Sequence, residues 1–190
     1  IQRNGKEEFY FGDTAKKIAN FFQINGGILS LMDLNQYKIR ILKPVCGNYR
    51  SYEICSMAPP SSGGIALVQL LNILENVDLG KLDHNSEEYL KILISSMDYA
   101  YRDRAKFLGD PEFFEVPQDL LTSKKYADEI YRQIKEKKYP SKVIVNIKEG
   151  EETTHFSIVD KWGNAVSNTY TLNTAYGSGI IPTGTGILMN

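Results

Sequence analysis

The run Thr153-Thr154-His155-Phe156-Ser157-Ile158-Val159-Asp160 and its continuation Ala165-Val166-Ser167-Asn168-Thr169-Tyr170-Thr171-Leu172 change character residue by residue around Lys161-Trp162-Gly163-Asn164. That is the pattern of a β-hairpin. A turn near Trp162-Gly163 brings Thr171 back beside Thr153 and Thr154. A register in which paired numbers sum to 324 sets Thr153 against Thr171. A sum of 326 sets Thr153 against Asn173, with Thr171 diagonal on the same face, and a sum of 325 sets Thr154 against Thr171. Strand side chains alternate by two, so a one-residue slip decides which threonine shares a face with Thr171 and Asn173.

Upstream of the hairpin the character changes. Residues 139–152 read as a polar linker with one strand-like run, Val143-Ile144-Val145. Before it, Leu120 to Lys138 reads as a helix, lysine-rich at its C-terminal end as the macrodipole favours. The longest helix runs from Glu87 to Phe107, with Ser86 as cap and Gly109-Asp110-Pro111 as stop. Its expected buried stripe is Tyr89, Leu90, Leu93, Met97, Ala100 and Tyr101. Ala58-Pro59-Pro60-Ser61-Ser62-Gly63-Gly64 is a loop leading into a buried helix, Ile65 to Leu74. Residues 38–57 read as short β-rich runs, Ile39 to Leu42 and Tyr49 to Met57, split by Pro44 and Gly47. A short helix, Leu31 to Tyr37, has Ser30 and Asp33 placed for a capping box. An amphipathic helix covers residues 13–24, capped by Asp13 or Thr14 and ended by Gly26-Gly27. The chain is therefore α+β, a helical N-terminal portion followed by a β-hairpin, with the boundary just before the threonine pair.

Composition excludes several functions. Twenty-two Lys and Arg against 23 Asp and Glu, for a net charge of −1, lack the footprint of a nucleic-acid binder or a polybasic membrane-surface protein. No apolar run approaches the roughly 18 residues that a helical span needs. The 190 residues suffice for a buried core, and with the glycines the apolar share reaches about half, as in globular chains. Cys46 and Cys55 lack zinc-ligand spacing and leave one bridge or two free thiols open. With only His84 and His155, a multi-histidine metal site is excluded and a Ser-His-Asp triad is a weak reading, so neither metal nor cofactor is expected. Ile1 and the closing Gly184-Thr185-Gly186-Ile187-Leu188-Met189-Asn190 read as the ends of a piece of a longer protein.

Among candidate chemistries, Pro59 to Gly64 lacks phosphate-loop spacing and reads first as a rigid turn. Asp98, Asp103 and Asp110 with Arg102 and Arg104 read as a solvated helix face, and Phe107, Phe113 and Phe114 as core. Glu151-Glu152-Thr153-Thr154 remains. Threonine becomes a nucleophile when it is the first residue of a chain, because its own α-amine then takes the hydroxyl proton. That amine titrates near ~7.7–8.0 and is substantially neutral around pH 8. On spacing alone, β-propensity explains the threonine pair equally simply.

Longer motifs decide the matter. Thr153 to Asp160, Gly163-Asn164-Ala165-Val166 and Thr169-Tyr170-Thr171-Leu172-Asn173 resemble the start of the small subunit of γ-glutamyltranspeptidases. Pro59 to Gly64, Tyr99-Ala100-Tyr101-Arg102-Asp103-Arg104 and Leu108-Gly109-Asp110-Pro111 resemble the end of that family's large subunit. The resemblance implies an N-terminal-nucleophile hydrolase with a four-layer αββα sandwich, made as one precursor. Residues 1–152 would be the C-terminal part of the large-subunit region and 153–190 the first strands of the small subunit, the two assembling as a heterodimer. The resemblance implies self-cleavage between Glu152 and Thr153, Thr153 as nucleophile, Thr171 orienting it, and Asn173 contacting the α-amino acid end of the substrate. It implies γ-glutamyl transfer from glutathione and related compounds to water or to acceptor amino acids or peptides, in a periplasmic or extracellular protein. The alternatives are a relative acting on another γ-glutamyl or glutaryl amide, and a non-catalytic assembly piece, which intact Thr153, Thr171 and Asn173 oppose. The isolated piece is expected to be inactive, with an exposed strand edge.

Overall fold

The computed structural model describes residues 2–136 and 153–190. The predicted linker 139–152 with Val143-Ile144-Val145, the end of the predicted helix at Lys138, and Glu152 lie outside the described residues. In chain order the elements are α1 (Gly5–Tyr10), α2 (Asp13–Ile24), α3 (Leu31–Gln36), β1 (Val45–Tyr49), β2 (Tyr52–Ser56), α4 (Gly63–Leu74), α5 (Glu87–Phe107), α6 (Gln118–Leu121), α7 (Lys124–Lys135), β3 (Thr154–Val159) and β4 (Ala165–Tyr170). They fall into two compact units, residues 2–40 with 153–190, and residues 41–136.

In the first unit, Ala15, Ile18 and Leu34 are buried and packed by Phe9, Phe22, Leu29, Ile187 and Met189. Neither Asp13 nor Thr14 caps α2. Glu8 of α1, a helix the sequence did not announce, supplies the cap instead: its Oε1 accepts from the Thr14 amide at 3.0 Å and the Thr14 hydroxyl at 3.1 Å. These bonds, the amide's first, hold the Glu8 carboxyl below its usual range. Gly26, at φ 74, ends α2, and the Gly27 amide donates to Phe22 O at 2.7 Å, the Schellman arrangement. Ser30 and Asp33 form the expected capping box on α3.

In the second unit, the antiparallel hairpin β1–β2 lies against α4. Residues 39–42, expected as a strand, are exposed and not in a strand, while β1 runs through Gly47, where the sequence suggested a break. The reason is packing: a Cβ on Gly47 would come within 2.5 Å of Val68 Cγ1, so the glycine admits the helix. Gly64 serves the same purpose, since its Cβ would stand 2.1 Å from Met57 O. Cys46 and Cys55 oppose one another in the ladder and form a disulfide on the exposed side. Val45, Ile65, Val68 and Leu121 make one core cluster, and Ile73, Ala127, Ile130 and Ile134 a second.

Helix α5 has the expected ends, and Ser86 Oγ accepts from the Tyr89 amide at 3.3 Å. Of the expected stripe Ala100 is buried, but its companions inside are Ile92, Ser96 and Asp103, while Leu90, Met97 and Tyr101 are exposed. Asp103 is therefore not part of a solvated charge face. Its Oδ2 accepts from Gln69 Nε2 at 2.5 Å and from Tyr126 Oη at 3.0 Å, a buried polar network joining α4, α5 and α7. Burial, with Asp103 alongside, pushes the Tyr126 phenol up. The single helix expected from Leu120 is split, because Ser123 caps α7 through the Tyr126 amide at 3.2 Å and Thr122 O accepts from Asn72 Nδ2 at 2.8 Å. Phe113 and Phe114, expected in the core, are exposed, and only Phe107 packs against a core cluster.

Candidate active site

The hairpin β3–β4 sets the site. Its register pairs Thr154 with Tyr170, His155 with Thr169, Ser157 with Ser167 and Val159 with Ala165, a sum of 324 throughout. Carried one step further, the same register opposes Thr153 and Thr171 at the open end. The closed end fixes it. Asp160 Oδ1 accepts from the amides of Trp162 and Asn164, both at 2.9 Å, and Oδ2 from Asn164 Nδ2 at 2.8 Å. These bonds, led by the Asn164 side chain, hold the Asp160 carboxyl below its usual range. Gly163, at φ 86, supplies the left-handed residue that the loop requires.

Thr153 and Thr171 line a depression of about 210 Å³ with Thr154, Tyr170, Leu172, Thr174 and Ala175. Asn173 reaches its place differently from the strand continuation expected. β4 ends at Tyr170, and Asn173 adopts φ 71, with its amide donating to Thr171 Oγ1 at 2.8 Å. A hydroxyl turn thus joins Thr171 to Asn173, and strand alternation does not carry Asn173. Glu152 lies outside the described residues.

Alternation sorts the hairpin into two unlike faces. His155 and Ser157 share one with Ser167 and Thr169, and the register continued by one step adds Thr153 and Thr171 to it; Phe156, Ile158, Val166 and Tyr170 occupy the other. The imidazole gathers the hydroxyls: His155 Nδ1 lies 2.6 Å from Thr169 Oγ1, and Nε2 lies 3.3 Å from both Ser157 Oγ and Ser167 Oγ. Every residue of both strands is exposed, and the sheet has two strands among the described residues. Larger hollows, about 720 Å³ beside Lys81, Glu87 and Lys91 and about 400 Å³ beside Pro59 and Phe114, belong to the other unit and hold none of the expected site residues. Cys46, Glu53 and Cys55 converge within 4.8 Å, but both sulfurs are committed to the disulfide.

The profile of the family described as gamma-glutamyltranspeptidase matches residues 1–190. The chain belongs to the gamma-glutamyltranspeptidase family. It is 48% identical over 195 residues to the glutathione hydrolase proenzyme of Escherichia coli (strain K12), covering 100% of this chain and 34% of that one. The acylase ACY 1 proenzyme of Pseudomonas sp. (strain V22) is 36% identical over 192 residues, again with 100% of this chain and 34% of the relative covered. The chain thus spans about a third of the length of the curated relatives it matches. Among solved structures, Helicobacter pylori gamma-glutamyltranspeptidase superposes with a TM-score of 0.66 at 43% identity, over 68% of this chain and 37% of that one. A cephalosporin acylase from Bacillus halodurans superposes with a TM-score of 0.78 at 27% identity, over 96% and 32%. The α+β arrangement of this gamma-glutamyltranspeptidase chain, helices followed by a hairpin, is that of the N-terminal-nucleophile hydrolases.

The sequence named Thr153, Thr171 and Asn173, and the structure brings the first two together. It did not single out the ring of hydroxyls on His155. The signal was present, since the odd-numbered residues from Thr153 to Ser157 and from Ser167 to Thr171 are threonine, histidine and serine, but it has meaning only once the register is fixed.

Proposed function

We propose that the protein containing this chain transfers the γ-glutamyl group of glutathione and related compounds to water or to acceptor amino acids or peptides. The carrying observation is that Thr153 and Thr171, one step beyond the last pair of the hairpin register, line the same depression in a gamma-glutamyltranspeptidase chain. In this reading the precursor breaks between Glu152 and Thr153, dividing residues 1–152 of the large-subunit region from 153–190 of the small subunit in a heterodimer. The freed α-amine of Thr153 then takes its own hydroxyl proton as the oxygen attacks the γ-carbonyl. Thr171 orients that hydroxyl, and Asn173 contacts the α-amino acid end of the substrate. The exposed hairpin gains its walls from the rest of the precursor, so the 190-residue chain alone should be inactive. The Cys46–Cys55 disulfide supports a periplasmic or extracellular location, where such bonds persist.

The acylase relatives support a second reading, hydrolysis of a glutaryl or another γ-glutamyl amide. Assaying the full-length processed protein with matched γ-glutamyl and glutaryl anilides separates the two. The first reading expects γ-glutamyl turnover that Thr153→Ala abolishes. Preference for the glutaryl compound would replace it with the second, and turnover surviving Thr153→Ala would overturn both.

A further inference from the structure

Self-cleavage poses a problem that turnover does not. In the uncut chain the nitrogen of Thr153 is the amide bonded to Glu152 and cannot act as a base, so the Thr153 hydroxyl proton must go elsewhere. On the face that the continued register gives Thr153 with Ser157, Ser167, Thr169 and Thr171, the one side chain with a basic nitrogen among the described residues is His155. It stands two residues along β3 from Thr153, and its Nδ1 is 2.6 Å from Thr169 Oγ1. Thr169 is directly opposite His155 and diagonal to Thr153. Diagonal neighbours lie roughly 7–8 Å apart, so a water is needed between the Thr153 and Thr169 hydroxyls.

We propose that His155 is the proton acceptor for self-cleavage, reached through the Thr169 hydroxyl, and that it gives up this role once the α-amine of Thr153 is free. The inference rests on the reading of Thr153 as the self-cleaving nucleophile. As Thr153 Oγ bonds to the Glu152 carbonyl carbon, its proton passes through a bridging water and the Thr169 hydroxyl to His155 Nδ1. The Glu152–Thr153 C–N bond then breaks, and the proton returns along the same path to the departing nitrogen. The products are an ester between Glu152 and Thr153 Oγ and a free α-amine. Water hydrolyses the ester to the Glu152 carboxylate and the Thr153 hydroxyl. For Nδ1 to accept, the ring carries its hydrogen on Nε2, which points at Ser157 Oγ and Ser167 Oγ, each 3.3 Å away. Either hydroxyl can accept from Nε2–H, which is compatible with that tautomer, and His155 positions the proton without touching the reacting atoms.

The test follows processing of the full-length precursor by gel and mass, and turnover of a γ-glutamyl anilide per processed site. Wild type, His155→Ala, His155→Gln and Thr153→Ala are compared, each with and without added imidazole. Removing a general base typically costs about 10²–10⁴-fold, so His155→Ala should process that much more slowly. His155→Gln keeps a hydrogen-bonding side chain but cannot take a proton, and should be equally slow. Added imidazole should accelerate His155→Ala and leave wild type as it is. Turnover per processed site should fall less than about tenfold, far less than processing. The proposal is overturned if His155→Gln processes like wild type, if imidazole has no effect on His155→Ala, or if turnover falls as far as processing. Cleavage of Thr153→Ala would instead overturn the nucleophile assignment itself, a distinct failure.

Discussion

Replacing Asp103 by alanine probes the polar network inside the helical unit. The carboxylate is 8% exposed and accepts from Gln69 Nε2 at 2.5 Å and from Tyr126 Oη at 3.0 Å, while Gln69 itself is 1% exposed. Truncation strands the Gln69 donor away from water and leaves the half-buried Tyr126 hydroxyl without its charged partner, at about 1–3 kcal/mol each, so Asp103→Ala should cost about 2–6 kcal/mol. Tyr126→Phe removes one donor and leaves the carboxylate on Gln69. It should cost less, about 1.5–3 kcal/mol for a bond to a charged group. On the Tyr126→Phe background, Asp103→Ala strands only Gln69, and the cycle should show a coupling of about 1–3 kcal/mol. Urea unfolding followed by far-UV circular dichroism reads this unit, because its helices dominate the signal, whereas Trp162 lies in the hairpin of the other unit. An Asp103→Ala protein within about 0.5 kcal/mol of wild type would be behaving as if its surface had been changed, and would refute the buried network.

Thr171→Ala should slow both processing and γ-glutamyl turnover by about 10²–10⁴-fold without abolishing either; wild-type rates would mean that the two threonines do not act together. Cys46→Ser with Cys55→Ser removes a bridge whose cysteines are nine positions apart, and should lower stability by about 2–3 kcal/mol in denaturant titrations; no change would show that the ladder and α4 already fix the hairpin. Lys124, foremost, and the Arg50 amide hold the Glu75 carboxyl below its usual range, so it stabilises the fold above the unfolded carboxyl's titration near ~4.3 and loses that contribution as pH falls through the lower folded value. Glu75→Gln should therefore flatten the acid limb of stability against pH; an unchanged limb would count against the Glu75–Lys124 pair.

Features set by local chemistry were legible in the sequence. The capping box of Ser30 and Asp33, the ends of α5 from Ser86 to Phe107, and the Gly26-Gly27 stop all depend on residues within a turn or two of one another. What went astray depended on distant partners. The apolar stripe of α5 suggested Leu90, Met97 and Tyr101 as the inner face, but Gln69 and Tyr126 draw Asp103 inward and rotate the choice. Gly47 looked like a strand break because nothing near it in sequence reveals that Val68 needs the space. Glu8 could not be foreseen as the cap of α2 because it acts from a separate helix. At the site, the threonines were visible as residue types and the register was narrowed to neighbouring values. The choice between those values came from the bonds of Asp160 around the loop. Asn173 departed from the strand because its left-handed backbone is set by Thr171 Oγ1, a contact that alternation does not encode.

In the proposed reading, Thr153 is the nucleophile of the precursor and then the first residue of its small subunit. N-terminal sequencing of the small fragment from the full-length protein tests it most directly, with the Thr153→Ala protein run in parallel. The expected fragment begins Thr-Thr-His-Phe-Ser, the residues from Thr153 to Ser157, and the alanine variant yields no fragment. A fragment that begins at any other residue, or one that still appears with alanine at 153, would contradict it.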